Sequence, residues 1–186
     1  STLIGVLLGA LAGYYVLLID TIITRLADIF LSVPSFFLMM TVNAYMKQSI
    51  YNVMIIIGLF GWMSVTRLVR AEFLRLKEMD YISASHALGS SAKDLILHHL
   101  LPNSLAPVIV SATIGIPSAI LRESSLSFLG LGVPPPQASW GNMLFEARKW
   151  LNLAWWFWIP PGLLISLTVI AFNFVGDGLR DALDPS

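Results

Sequence analysis

The three histidines are the side chains in this sequence that could most readily bind a metal ion. His98 and His99 are adjacent, and adjacent side chains on a helix point about 100° apart. With His86 they stand in one polar segment, where we find no carboxylate at the spacing of a metal ligand. We therefore interpret these histidines as part of a polar docking surface and predict no metal site.

Two other residues could do chemistry in apolar surroundings. Ser64 would need a histidine as its general base, and all three histidines fall in a segment that we place outside the bilayer. Glu123 follows Arg122 at the end of an apolar run, and an ionisable residue near membrane depth is a functional candidate because lipid disfavours an unpaired charge. Two interpretations of Glu123 stay open: a pair with Arg122 or another structural contact, and a place at a passage or its gate.

Catalysis by the chain itself is not indicated. The sequence has no Gly-x-x-x-x-Gly-Lys-Ser/Thr phosphate cradle, so it lacks the usual means of binding and hydrolysing ATP. It also has no cysteine, which excludes thiol catalysis and zinc–thiolate sites. We predict a non-catalytic chain that binds no cofactor itself.

The composition is typical of a polytopic membrane protein. Hydrophobic residues make up 56% of the 186 residues and charged residues only 12%, whereas soluble domains use roughly 25% charge. The formal net charge is zero, so nothing in the charge balance favours nucleic acid as a partner. We predict an all-α transmembrane bundle that forms a single domain over residues 1–186.

Membrane spans are predicted from uncharged runs close to the roughly 20 residues that cross a bilayer. A shorter apolar stretch at 126–133 is too brief and Gly-rich to span, and we interpret it as a loop or re-entrant segment. The sequence begins without methionine inside an apolar run, so we expect a preceding segment. The five runs are 2–19, 29–46, 50–66, 105–121 and 155–175.

The distribution of Lys and Arg predicts the orientation of the chain. If the segment between the third and fourth runs is cytoplasmic, seven of these residues face inside and four face outside, and the same topology puts five tryptophans near the outer interface. The inner residues are Arg25, Arg67, Arg70, Arg75, Lys77, Lys93 and Arg180; the outer ones are Lys47, Arg122, Arg148 and Lys149.

Three glycines predict a packing surface on the first helix. Gly5, Gly9 and Gly13 recur every fourth residue and therefore share one face. Without side chains there, a second helix can approach backbone to backbone, which favours helix association in lipid.

The polar segment 70–103 predicts a pair of short amphipathic helices. Asp80 or Ser83 can cap the first helix, Gly89 can end it in a left-handed conformation, and Ser91 can cap the second. Pro102 marks the start of the next membrane helix. Such a loop could lie on lipid, pack under its own bundle, or dock on a soluble partner. In helical register one side carries Ala84, Ala87, Leu88, Ala92, Leu95 and Ile96.

Residue spacing within 80–103 resembles the EAA loop of ABC importer permeases. The family pattern is Glu-Ala-Ala, three residues, Gly, nine residues, then Ile-x-Leu-Pro. Here Ser83-Ala84-Ser85 precedes Gly89 by three residues, and nine residues later come His99-Leu100-Leu101-Pro102. Ser83, Ser85 and His99 replace the family's Glu, Ala and Ile, and a following Asn103 is similar to the dipeptide, oligopeptide and nickel permease branch.

The resemblance to that branch extends over nearly the whole chain. Similar segments stand at 11–15, 67–70, 125–132, 139–144, 171–173 and 176–185. An additional N-terminal membrane helix that the family usually carries is absent from this sequence.

This resemblance implies a transport subunit of a prokaryotic inner membrane, importing dipeptides, oligopeptides or nickel. It implies a homologous permease partner, two ATPase subunits that use ATP and Mg²⁺, and an extracytoplasmic substrate-binding protein. An ion-coupled secondary transporter is the alternative, but it would usually show acidic residues within spans and an inverted repeat. The residues implied in ATPase coupling are Ser83, Ala84, Ser85, His86, Ala87, Leu88, Gly89, His99, Leu101, Pro102 and Asn103.

Overall fold

The computed structural model describes residues 1–183, and in this range it contains helices and no strand. The predicted all-helical fold is thus confirmed. Between the helices Ala92–Asp94 and Leu101–Phe128 the chain forms a π-helix, Leu95–Leu100, and a 3₁₀ turn follows at Arg148–Trp150. The α-helices are α1 Thr2–Tyr14, α2 Leu18–Ser32, α3 Ser35–Tyr45, α4 Ile50–Leu59, α5 Trp62–Lys77, α6 Asp80–Ala87, α7 Ala92–Asp94, α8 Leu101–Phe128, α9 Trp140–Ala147 and α10 Trp155–Leu183.

Within the described residues, three helical stretches are long and apolar enough to span a membrane: Ile50–Lys77, Ala92–Phe128 and Trp155–Leu183. A fourth span results if α2 and α3 count as one broken helix, and α1 is a shorter apolar helix. The five predicted runs therefore all lie in apolar helical structure, although several of their boundaries are wrong.

The corrections concern helix breaks. Run 2–19 is interrupted after Tyr14, and run 29–46 is divided at Val33, which is extended (φ −104°, ψ 132°) because Pro34 disfavours the helical conformation of the residue before it. Run 50–66 breaks at Phe60 and Gly61. The predicted loop 126–133 is helical as far as Phe128, so the non-helical part begins three residues later than expected.

The chain forms two compact units. The first comprises Ser1–Val33, Gly61–Ala112 and residues 180–183, and its principal contact is between α1 and α5. Apolar side chains of α5 form the centre of its core, where Val69 and Phe73 are fully buried. Further core members come from the polar segment that follows α5: Ile82, Leu95 and Leu100.

The glycine face of α1 lies directly against α5. A Cβ atom added at Gly5 would stand 2.5 Å from the Cβ of Val65, and one at Gly9 would stand 2.7 Å from both the carbonyl oxygen of Thr66 and the Cβ of Val69. Side chains at these positions would need the helices to separate, since unstrained carbon contacts lie at about 3.5–4.0 Å. Glycine is therefore what permits the close approach of α1 and α5.

Two ion pairs join α2 to α5 within the first unit. Arg70 binds Asp20 in a bidentate manner, with Nε 2.5 Å and Nη2 2.7 Å from its two carboxylate oxygens. Asp20 is buried and Arg70 is half-buried, so this pair is shielded from water far more than the exposed pair of Arg67 with Asp28. The sequence interpretation did not include the Asp20–Arg70 pair, whose members are 50 residues apart.

The second unit comprises Pro34–Phe60 and residues 113–179. Its loop between α8 and α9 is held by side-chain amides: Asn43 donates to the carbonyl of Leu131, and Gln48 donates to that of Gly130 at 2.9 Å. Gly141 on α9 packs against α8, because an added Cβ there would lie 2.6 Å from the Cβ of Ser127. The loop and α9 are thus fixed to α8.

Candidate functional site

The first helix of the polar segment, α6, begins at Asp80. Met79 occupies the N-cap position in an extended conformation, and no side chain caps the helix, so the predicted caps Asp80 and Ser83 are wrong. The amide of Met79 bonds the carbonyl of Leu76 at 3.1 Å and so completes the end of α5. The chain turns there and enters α6 at once, which leaves Asp80 inside the first turn, where a carboxylate favours the helix N-terminus.

The end of α6 has the predicted left-handed glycine. Gly89 has φ +90°, and the amides of Leu88, Gly89 and Ser90 bond to carbonyls of the last helical turn at 3.0–3.2 Å. These bonds satisfy carbonyls that the helix end would otherwise leave unpaired. The hydroxyls of Ser85 and Ser90 also lie 2.9 Å apart across the turn.

The second helix of the segment is capped as predicted and then widens. The Ser91 hydroxyl accepts a bond from the amide of Asp94 at 3.2 Å, and α7 leads into the π-helix Leu95–Leu100. Pro102 has no N–H to offer the carbonyl four residues before it, and the amide of Leu101 bonds Ile96 five residues back. Proline thus gives a physical reason for the wider turn.

The exposed side of the segment differs from the predicted apolar face. Ala84 and Ala87 are exposed and Leu88 is 89% exposed, whereas Leu95 is buried. A single face through all of these residues would need one continuous helix, and the left-handed Gly89 ends that continuity. The tip of α6 is therefore a free surface of small and apolar residues within the described chain, and its base is anchored by Ile82 in the core of the first unit.

The remaining predicted coupling residues lie along the same segment. Ser83 and His86 line a cavity of about 400 Å³ with Tyr14 and Lys77, and the Lys77 ammonium donates to the Tyr14 carbonyl at 2.9 Å. A cation thus borders the position where the family pattern has Glu. Further along, the Asn103 amide donates to the carbonyl of His99 at 2.6 Å, Leu101 is half-buried and Pro102 is exposed.

His98 has a carboxylate partner that the sequence interpretation overlooked. Its Nδ1 lies 2.8 Å from Asp94, one helical turn earlier, and both side chains are largely exposed. Among residues 1–183, no cluster of three or more His, Asp or Glu side chains is arranged to hold a metal ion. The pair is a local contact on the surface of the segment.

Glu123 lies in the second unit, at the wall of an apolar cavity of about 660 Å³. One of its carboxylate oxygens accepts a bond from the Ser127 hydroxyl at 2.6 Å, and the other has only a 3.4 Å contact with Ser124. Within residues 1–183 it forms no ion pair, so the pair with Arg122 is not formed and the structural contact is with serine.

Ser127 was missed by the sequence interpretation, and it organises the surroundings of Glu123. It is fully buried, donates to Glu123, and accepts a 3.2 Å bond from the amide of Val133. The Ser139 hydroxyl lies 3.4 Å away and itself caps α9 by accepting from the amide of Asn142 at 3.1 Å. Helix α8, the following loop and α9 therefore meet at one buried hydroxyl.

The sequence profile of one protein family, described as the binding-protein-dependent transport system inner membrane component, matches residues 5–186. The chain belongs to this family. Membership supports the permease interpretation over an ion-coupled secondary transporter.

Individual proteins similar to this chain are also transport permeases by name. The chain is 44% identical to a dipeptide transport system permease protein, DppC, of Alkalihalophilus pseudofirmus, covering all of this chain and 61% of the relative. Identity to the DppC protein of Haemophilus influenzae is 43%, with 100% and 63% covered. For the oligopeptide transport system permease protein OppC of Bacillus subtilis the identity is 39%, with 98% and 60% covered. The chain thus spans about three fifths of the length of these relatives.

Proposed function

We propose that this chain is a permease subunit of an ATP-driven importer that moves dipeptides or oligopeptides across a prokaryotic inner membrane. Family membership and the peptide substrates named for its relatives support this proposal. Nickel is the other solute that the sequence resemblance implies.

The observation that carries the proposal is the exposed α6 and its glycine end, placed between two membrane-length helical stretches. Ala84, Ala87 and Leu88 present a small apolar surface without a covering element in the described chain. A surface of this kind suits close docking of a soluble protein, because small side chains allow a short approach and an exposed leucine contributes apolar area. The proposed partner is the ATPase subunit.

Movement of the ATPase would reach the bilayer through the base of this segment. Ile82, Leu95 and Leu100 are buried against α5, so a displacement of α6 displaces the α5 core rather than a flexible tether. Two ATPases that bind ATP and Mg²⁺ would supply the work, a homologous permease would complete the passage, and an extracytoplasmic binding protein would deliver the substrate. The chain itself contributes the docking helix and part of the passage.

The test of the proposal is reconstitution of the full-length permease with its partner permease, ATPase and binding protein in proteoliposomes. Uptake of a labelled dipeptide is expected to require internal ATP and to survive a proton uncoupler. Uptake that follows an ion gradient and ignores ATP would refute the proposal and favour the secondary transporter.

Docking through α6 is tested at Gly89. Nothing lies within 4 Å of a Cβ added there, but its φ of +90° is strained for any β-branched residue. Gly89→Val should therefore distort the helix end and reduce uptake per ATP hydrolysed by about tenfold or more, whereas Gly89→Asn should be milder because Asn tolerates the left-handed region. Gly115→Val is the control, since Gly115 has open space and lacks a positive φ. Equal coupling in both valine variants would contradict the assignment.

A further inference from the structure

The cavity beside Glu123 combines apolar walls with one carboxylate. It is lined by α4, α8, α9 and the loop before α9, mostly through aliphatic, methionine and tryptophan side chains such as Ile57, Ile120, Trp140 and Met143. Glu123 is its only ionisable lining residue. Its volume, about 660 Å³, lies within the roughly 300–1,000 Å³ of small-molecule sites.

The carboxylate is held in place but lacks a counter-charge. Ser127 fixes one oxygen, and Ser127 is itself fixed by the amide of Val133, so the carboxylate is positioned by a buried group. Hydroxyl donors orient a carboxylate without neutralising it, and no cation of residues 1–183 pairs with it. In an apolar wall such a charge is unfavourable unless a cation compensates it, so the missing cation points to a ligand.

We infer that this cavity binds the N-terminal residue of a transported short peptide, with Glu123 as counter-ion to the peptide's ammonium group and the apolar walls taking its side chain. This inference rests on the proposed function, because it takes a peptide as the substrate. The N-terminal residue of a peptide has the chemistry that the cavity requires, namely an ammonium group next to a side chain that can be apolar. Glu123 is thereby a specificity-determining residue for a free amino terminus.

The absence of cysteine from the sequence allows a direct binding assay. Met143→Cys places one thiol on the cavity wall, and its labelling by a water-soluble maleimide is measured in the reconstituted full transporter. Increasing alanylphenylalanine should protect the thiol, and N-acetyl-alanylphenylalanine should need at least about a tenfold higher concentration for half-protection. Gln137→Cys, exposed in the loop before α9 but outside the lining, is the control and should label equally with either peptide.

The role of the charge is tested by Glu123→Gln, which retains an acceptor for Ser127 but removes the charge. In the Met143→Cys background it should abolish the preference for the free amine, whereas Glu123→Asp should keep it. Equal protection by both peptides with Glu123 present would overturn the inference. Absence of protection by either peptide, with ATP-driven uptake intact, would also overturn it, because the cavity is then covered by another helix or subunit.

Failure of the proposed function has a different signature. Uptake that ignores ATP refutes the importer, and protection of the thiol by the free-amine peptide in that same protein would still support the peptide site. Uptake and protection are therefore separate measurements, and either can fail alone.

Discussion

Replacement of Gly9 by alanine should destabilise the chain although alanine is the better helix former. The new Cβ would lie 2.7 Å from the Thr66 carbonyl oxygen and 2.7 Å from the Cβ of Val69. Ordinary contacts are about 3.5–4.0 Å, so α1 and α5 must separate locally by about 1 Å. Overpacking of this kind costs about 1–3 kcal/mol, and the helix propensity of alanine returns up to about 1 kcal/mol. The expected net loss is about 1–2 kcal/mol.

The assay is the free energy of unfolding of the full-length chain in mixed micelles, titrated with denaturing detergent and followed by tryptophan fluorescence. Gly115→Ala is the matched control, because Gly115 is also helical and has nothing within 4 Å of an added Cβ. That variant gains the same propensity without a clash and should be neutral or slightly stabilised. Gly13→Ala should resemble Gly9→Ala, since its Cβ would lie 2.5 Å from the Cβ of Phe73.

The comparison between the two alanine variants decides the argument. If Gly9→Ala unfolds at the same free energy as Gly115→Ala, the close approach of α1 to α5 does not contribute to stability. The glycine periodicity would then reflect only the general frequency of glycine in membrane helices.

Three further predictions follow from polar contacts. Asp20→Asn should lower the free energy of unfolding by about 2 kcal/mol, because Arg70 loses charged hydrogen bonds. The double variant Asp20→Arg/Arg70→Asp should restore part of this free energy. An unchanged free energy of unfolding for Asp20→Asn in the same titration would refute the prediction. Ser127→Ala should speed hydrogen exchange at the Val133 amide by about tenfold or more, since the amide loses its acceptor; an unchanged rate would show that the loop is held otherwise. Ser91→Ala should destabilise α7 by about 1 kcal/mol, seen as faster amide exchange there but not in α5, and equal exchange would remove its capping role.

Features governed by neighbouring residues in the sequence were predictable. Hydrophobic runs located the membrane helices, and a glycine between two short helices indicated the left-handed end at Gly89. Ser91 was recognised as a cap because a hydroxyl three residues before an amide can reach it. Each of these predictions depends on the backbone within one or two helical turns.

Features governed by distant residues were not predictable in the same way. The Asp20–Arg70 pair joins positions 50 residues apart, and neither residue has a local partner that suggests it. Ser127 looked like one of several serines near Glu123, and only packing against Val133 and Ser139 makes it the buried centre of that region. Long-range contacts of this kind depend on which helices pack together, and hydrophobic periodicity alone does not determine that pairing.

The mistaken apolar face of the polar segment has a specific cause. Helical register was extended through residues 84–96 as if the helix were continuous, but a residue with φ +90° changes the direction of the chain. Beyond Gly89 the phase of the helix starts again at Ser91, so Ala84 and Leu95 need not share a side. Leu88, which was predicted to share a side with Leu95, is instead among the most exposed apolar positions of the described chain, whereas Leu95 is buried.

In the first unit, packed core residues rather than a flexible joint connect α6 to α5. Ile82, Leu95 and Leu100 pack around the same helix, α5, that bears the glycine contacts with α1 and the buried ion pair with α2. Glycine packing brings backbones together and leaves few rotamers to absorb movement, and the bidentate pair fixes the orientation of Arg70 on Asp20. Weakening the α1–α5 glycine contact or the Asp20–Arg70 pair should therefore reduce the amount of substrate transported per ATP hydrolysed, while the affinity for the ATPase is retained. Weaker docking of the ATPase in Gly9→Ala than in the wild type would contradict this division of roles.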